Sequence, residues 1–339
     1  MRASRETPSV KTFVWRLARR LIGGLAMILV VASFTFFLIH WLPGDPVQTR
    51  LETLVQQGVP LFQAREEVQS MYGFVPHQPL TTQYVHYLGQ LAHLDLGQSI
   101  SYTGVPVSHL LLSAAPWTVL MVLSGLVISF IIGVLAGVFA AVKRASRVGS
   151  GVTLLSTFLH GIPQFILALL LAYLFTTLWP IFPFGAPYDA AIRPGVSWPF
   201  LSSLGVHAVL PVLAYAISGY GGWALTMKSN VVSVLGDDFI LASELRGIAP
   251  RIRFWYIARN AILPLFTVFA LSLGFLFGGA IFIEQIFDYP GLGYMLLQSL
   301  GARDYPLMSA AFLVITVAVI VSNILADLLY TAIDPRIRR

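Results

Sequence analysis

Six stretches of this chain are each long and apolar enough to cross a bilayer, and every other feature has to be placed relative to them. A helix needs about 20 predominantly apolar residues to span the hydrocarbon core. Leu21–Leu42, Pro116–Val142, Gly151–Leu174, Val206–Met227, Leu263–Ile286 and Tyr305–Tyr330 meet that requirement. Of the 339 residues, 57% are hydrophobic and 11% charged, against about 25% charged in an ordinary soluble domain. A soluble fold has no way to hide so much apolar surface, whereas a lipid-facing one has no need to. The expected fold class is an all-α membrane protein with six transmembrane helices. Pro116 suits the first turn of the second helix, where a missing N–H costs nothing.

Lys and Arg orient the helices. Arg2, Arg5, Lys11, Arg16, Arg19 and Arg20 precede the first span, and Lys143, Arg144 and Arg147 follow the second. Lys228, Arg246, Arg251, Arg253 and Arg259 lie between the fourth and fifth, and Arg336, Arg338 and Arg339 close the chain. The alternate loops hold only Arg50 and Arg65, Arg193, and Arg303. The positive-inside rule then puts both termini in the cytoplasm. Residues 1–20 form a cytoplasmic, interfacial N-terminal helix in which basic residues alternate with Phe13, Trp15 and Leu17, and residues 21–42 form the first span. That apolar run is too long for a signal-peptide core and lacks a small-residue cleavage site. Residues 43–115 form an extracytoplasmic region with a helix near Leu61–Met71, suited to a cap or docking surface. Residues 116–330 make a five-helix core with a cytoplasmic loop at 228–262, and 331–339 a cytoplasmic tail.

Several chemistries are excluded. There is no cysteine, hence no disulfide and no thiolate metal site. No GxxxxGK[ST] phosphate loop and no HExxH pair occurs, so neither nucleotide hydrolysis by that loop nor an intramembrane zincin is expected. His86 and His93 can share a helix face, but no third ligand accompanies them. No catalytic residue, metal or cofactor is assigned to the chain. The net charge of +6 is spread beside apolar blocks rather than on an aromatic-rich soluble face, which argues against nucleic acid. The ionisable residues of the spans, His40, His207, Glu284 and Asp327, lie near span ends. A proton- or sodium-driven carrier would place an acid nearer the midplane.

One polar island interrupts the oily core, Asp237 to Pro264, DDFILASELRGIAPRIRFWYIARNAILP. Asp237 or Asp238 suits an N-cap and favours the positive end of a helix. Phe239, Ala242 and Leu245 follow at three-residue steps as a narrow apolar stripe. Gly247 suits the left-handed residue that ends a helix, Pro250 starts another, and Pro264 marks where the fifth span begins. Two short helices joined by a tight turn at the membrane surface are expected.

This island resembles the cytoplasmic loop of ABC-importer permeases, whose signature is Glu-Ala-Ala, three residues, Gly, then a later Leu-Pro. Leu241, Ala242 and Ser243 occupy the first three positions, Gly247 the glycine and Leu263-Pro264 the closing pair. The leucine at the first position and the long interval from Gly247 to Pro264 resemble the dipeptide/oligopeptide/nickel branch, B-type partner. Further segments in family order support it: Leu42-Pro43-Gly44-Asp45-Pro46, Asp95-Leu96-Gly97, Ile162-Pro163-Gln164-Phe165, Tyr289-Pro290-Gly291-Leu292-Gly293, Arg303-Asp304-Tyr305-Pro306 and Asp334-Pro335-Arg336-Ile337-Arg338. The resemblance covers nearly the whole chain, with Leu51–Gln69 and Pro180–Trp198 least family-like.

The resemblance implies a type I ABC-importer permease fold in a bacterial or archaeal inner membrane. The chain would form half of a pathway completed by a homologous second permease. Two ABC ATPase domains carrying ATP and Mg²⁺ would lie beneath, and an extracytoplasmic solute-binding protein would deliver cargo. The coupling residues implied are Asp238, Phe239, Ala242, Ser243, Glu244, Leu245, Arg246 and Gly247. Peptide cargo is the leading expectation, with oligosaccharide and nickel as alternatives and an ion-coupled carrier or channel more remote.

The substrate path is read from polar groups in or beside spans: Gln164, Tyr215, Ser218, Glu284, Gln285 and Asn323, with Tyr220 and Thr226 as further members. For each, an interhelical hydrogen bond is an equally good reading. Glu284, near the outer mouth, is the acid singled out for binding or gating, with a structural salt bridge as the plainer alternative. Pro163 is expected to kink the third span, and Gly278-Gly279 to allow bending or close helix approach.

Overall fold

The computed structural model describes residues 10–41, 46–72, 79–274 and 280–333. Everything regular among them is helical, apart from an isolated bridge between Gln98 and Pro106. The Leu-Pro-Gly-Asp run after the first span, Gly278-Gly279 and the terminal Asp-Pro-Arg-Ile-Arg lie outside the described residues.

α1 (Val10–Trp41) runs unbroken from the basic segment into the first span, as one helix rather than a short interfacial helix followed by a span. Three short helices follow: α2 (Pro46–Gln56), α3 (Leu61–Tyr72) and α4 (Leu80–Ala92). Only α3 is legible beforehand. Leu51, Leu54, Ala64 and Val68 of α2 and α3 are buried in one apolar cluster with Phe36 of α1.

The second span, α5 (Val107–Val142), begins well before Pro116 and carries that proline in its interior. Val107, Leu111 and Ala114 are buried in the same apolar cluster, and that packing carries the helix through the proline. The third span divides at Ile162-Pro163 into α6 (Arg147–Gly161) and α7 (Gln164–Ala172), the latter continuing as a π-helical turn Tyr173–Leu178. The two arms meet at 97°, a far larger bend than a proline kink in one continuous span. α8 (Trp198–Leu235) extends past Lys228 into residues that charge alone would assign to the loop. Lys228 is satisfied within the bundle, its Nζ donating to Thr153 Oγ1 of α6 at 2.9 Å.

α9 (Asp238–Leu245) is the short helix of the island. The second island helix is not short. α10 (Pro250–Gly274) runs continuously through Pro264 into the fifth span, because a membrane helix tolerates an internal proline whose freed backbone groups neighbours can satisfy. α11 (Ile281–Ile286) and α12 (Leu292–Gly301) form a compact pair before α13 (Tyr305–Ile333), the last span. Among the described residues five helices meet the length and hydropathy of a span, and α6–α7 makes a sixth if its two arms count as one.

The centre of the bundle is the pairing of α5 with α8. Gly125, Ser129, Gly133 and Gly137 recur at every fourth residue of α5 and so lie on one face. A Cβ at Gly133 would come within 2.4 Å of Trp223 Cβ and 2.9 Å of the Tyr220 carbonyl oxygen. Ser129 Oγ accepts the Trp223 indole N–H at 3.1 Å across the same seam. Small residues let backbones approach in lipid, where the hydrophobic effect does not drive helices together. Gly133→Leu is expected to lower stability by roughly 1–3 kcal/mol through overpacking. Thermal unfolding in detergent, read by size-exclusion of the heated protein, checks this.

Candidate functional site: a short projecting helix and two buried carboxylates

α9 is built to project from the bundle with a defined end. Asp237 occupies its N-cap position, but the side chain makes no capping hydrogen bond, contrary to the sequence reading; Asp238 lies in the first turn. Both carboxylates therefore act through the positive end of the helix rather than by capping it. At the other end Gly247 has φ +69°. Its N–H donates to the Glu244 carbonyl at 2.9 Å, and the Ile248 N–H donates to the Ser243 carbonyl at 3.1 Å. That pair of bonds is a Schellman stop, and it requires a left-handed residue where Gly247 stands.

Only Ile240 and Ser243 of α9 face inward. Ser243 Oγ donates to the Ile240 carbonyl at 2.7 Å, so this member of the implied coupling set supports the helix from within. Phe239 is 42% exposed, Leu241 58% and Leu245 81%, and Ala242 and Arg246 are exposed beside them. Leu241 thus joins the apolar outer face, although periodicity assigned only Phe239, Ala242 and Leu245 to it. The signal was present: a leucine stands where the family pattern has glutamate. Glu244 reaches across the turn to Arg253 of α10 at 2.9 Å. This ties α9 to the helix that continues into the fifth span.

Two buried carboxylates organise other parts of the bundle: Glu284 ties α11 and α12 to α5, and Asp304 ties residues 99–101 to the start of α13. Glu284 of α11 is fully buried. It accepts the Thr118 hydroxyl of α5 at 2.6 Å and the Tyr294 backbone N–H of α12 at 2.9 Å. Thr118 Oγ1 in turn accepts the Leu292 N–H at 2.8 Å. Two of the four orphan N–H groups at the α12 N-terminus are therefore satisfied from other helices. A Cβ at Gly291 would fall 2.3 Å from the Glu284 carboxyl carbon, and one at Gly293 2.7 Å from Ile281 Cα. The Pro-Gly-Leu-Gly run is glycine-rich because the carboxylate and α11 occupy the space. Tyr294 donates its phenol to Asp288, a bond that with burial holds the phenol up to about 12.

Asp304 is the second buried carboxylate. Its Oδ2 accepts the Ser99 hydroxyl and the backbone N–H groups of Ile100 and Ser101, the latter two at 3.0 Å. Its Oδ1 accepts the Leu307 N–H at 3.2 Å, capping α13. Asp95 Oδ1 accepts the Gly97 N–H at 3.0 Å and shapes the same outer turn. The Asp-Leu-Gly and Arg-Asp-Tyr-Pro segments, distant in sequence, are thus one structural unit.

Residues 133–339 match the family described as binding-protein-dependent transport system inner membrane component. The chain belongs to this family. It is a multi-pass permease subunit of an inner-membrane importer, and its helical bundle is the type I permease fold. The permease is 30% identical over 322 residues to the oligopeptide transport system permease protein AppB of Bacillus subtilis, covering 95% of this chain and 98% of that one. It is 31% identical over 336 residues to the di/tripeptide transport system permease protein DppB of Pseudomonas aeruginosa, again covering 95% and 98%. A protein of Brucella suis provisionally named a peptide permease is 33% identical over 326 residues, covering 94% and 97%.

The polar groups assigned to a substrate path lie on α7, α8, α11 and α13 of the permease. Gln164 opens α7 and is half-buried, beside the contact between Phe165 and Phe282 of α11, 6.2 Å between ring centroids. Tyr215 is half-buried against Gly125, and Ser218 donates to the Tyr215 carbonyl at 2.8 Å. Gln285 is exposed next to the buried Glu284, and Asn323 is half-buried on α13. Tyr220 accepts the Ser156 hydroxyl at 3.0 Å, and Thr226 donates to the Gly222 carbonyl at 2.8 Å. The partners of Glu284 are a hydroxyl and a backbone amide rather than a cation. Sequence reading missed Thr118 altogether, for nothing local marks a threonine whose partners lie far along the chain.

Proposed function

We propose that this permease is half of the pathway of an ATP-driven peptide importer and is moved by an ATPase that bears on α9. The observation that carries the reading is the outer face of α9. Phe239, Leu241, Ala242 and Leu245 are turned away from the bundle on a helix stopped by Gly247 and pinned through Glu244 to Arg253. An apolar stripe rimmed by Asp238 and Arg246 suits a groove on a soluble partner better than it suits water. ATP and Mg²⁺ belong to two partner ATPase domains, since no phosphate loop occurs in this chain. A homologous second permease completes the pathway, a solute-binding protein delivers the cargo, and both termini lie on the ATPase side.

The names of the relatives, oligopeptide and di/tripeptide transport, support peptide cargo. Gln164, Tyr215, Ser218, Gln285 and Asn323 are the groups assigned to the path, with Glu284 as the acid that holds its outer end in shape. In the coupled complex, closure of the ATPases on ATP moves α9, and α10 transmits the movement as a continuous helix into the fifth span. The test has two arms. An ATPase subunit co-purifies with the wild-type chain and is lost with Phe239→Asp. The cognate binding protein, offered peptide, oligosaccharide and nickel panels, retains peptides. Retention of sugar or nickel alone overturns the cargo, and ATPase capture unchanged by Phe239→Asp overturns the docking.

A further inference from the structure

We propose that the permease holds an anionic phospholipid in an apolar groove between α5, α8 and α10, with the headgroup phosphate on Lys143, Arg144 and Arg251. The groove has a volume of about 370 Å³, and its lining includes Val138 and Val142 of α5, Met227 of α8, and Trp255, Ala258 and Ile262 of α10. No polar side chain lines it. It is unrelated to the buried carboxylates, and it does not include the outer face of α9.

Cations stand at one end of this groove. Val142 is the last residue of α5, Lys143 is its C-cap and Arg144 follows. On α10, Arg251 lies one turn before Trp255, and Arg251, Trp255, Ala258 and Ile262 share one face by helical periodicity. The apolar stripe of the groove therefore runs into a guanidinium. Lys143, Arg144 and Arg251 are exposed, and among the described residues none of them has an acidic partner, whereas Arg253 is paired with Glu244. Trp255, 66% exposed, is the residue type that anchors at headgroup level.

Size separates the two kinds of occupant. A helix about 10 Å across fills roughly 400 Å³ in a single turn, so this groove, at about 370 Å³, has room for no more than about one turn of a partner helix. An acyl chain is thinner and follows the groove along its length. Basic pockets between membrane helices bind phospholipid headgroups on the side of the anionic leaflet. Apolar wall, cationic end and aromatic anchor together specify chain and phosphate of one molecule.

The test reads bound lipid and is independent of ATPase docking. The full-length chain, produced together with its second permease subunit, is placed in nanodiscs of equal parts phosphatidylglycerol and phosphatidylethanolamine, released, and weighed by native mass spectrometry. Wild type is expected to retain phosphatidylglycerol preferentially, and excess inorganic phosphate is expected not to displace it. The double variant Lys143→Gln, Arg251→Gln is expected to retain roughly thirtyfold less, from the loss of two charges near the phosphate. Ala258→Trp fills the groove and leaves the cations, and should release the lipid; the charge variants alter only exposed positions, so their loss of lipid does not depend on the fold as that of Ala258→Trp does. Equal retention of both lipids, retention unchanged by the charge variants, or displacement by inorganic phosphate overturns the proposal. So does an Ala258→Trp chain that keeps its lipid but loses a second permease subunit, which would make the groove a protein interface.

Discussion

Valine at position 247 is expected to abolish ATP-driven uptake while the permease still reaches the membrane in near-normal amount. Gly247 has φ +69°, a conformation that costs an L-residue roughly 1–2 kcal/mol and a β-branched one more. No atom lies within 4 Å of where a Cβ would stand, so the penalty is conformational rather than steric. The backbone relieves it by giving up the Schellman bonds, and a helix of eight residues has little intrinsic stability to spare. α9 would then lose its end and its angle to α10. Asparagine tolerates the left-handed region, so Gly247→Asn should keep much of the uptake where Gly247→Val keeps none. Uptake into proteoliposomes, normalised to inserted protein, separates the two. Equal activity in both variants would remove the Schellman stop from the mechanism.

Asp304→Ala is expected to cost about 3 kcal/mol or more and to lower both thermal stability and uptake. The carboxylate accepts one hydroxyl and three backbone N–H groups from the outer turn and from the start of α13. Bonds to a charged acceptor contribute roughly 1.5–3 kcal/mol, and buried donors left without a partner cost about 1–3 kcal/mol each. Asp304→Asn keeps one acceptor oxygen of the two, so it preserves either the grip on Ser99–Ser101 or the α13 cap, and an intermediate loss is expected. Thermal unfolding in detergent ranks the three proteins. An alanine variant as stable as wild type would mean that water replaces the carboxylate at this site.

The two predictions differ in how far sequence alone could have reached them. Gly247 is legible because the Schellman stop is local: its donors, acceptors and left-handed residue lie within six positions. Asp304 is visible only as a member of a short motif, since Ser99 lies 205 residues away and no periodicity links them. The spans are legible because lipid demands long apolar runs, but their ends are not. Pro116 and Pro264 read as helix starts and prove interior, for in a packed bundle neighbours compensate what proline removes. α2 and α4 escaped notice because short outer helices lack the apolar length that marks a span. The face of Leu241 depended on how α9 rolls against the bundle, which Ile240 and Ser243 decide by turning inward.

Absence of cysteine from the chain makes the central claim open to one direct measurement. A single cysteine at Leu245, the most exposed apolar residue of α9, is the only thiol of the permease. In inside-out membrane vesicles containing the assembled importer, a short thiol-to-amine crosslinker should join Leu245→Cys to an ATPase subunit and arrest ATP-driven transport. A cysteine at Leu94, equally exposed in the outer region, should give no such product. An ATPase adduct at position 94 with none at 245 would contradict the account.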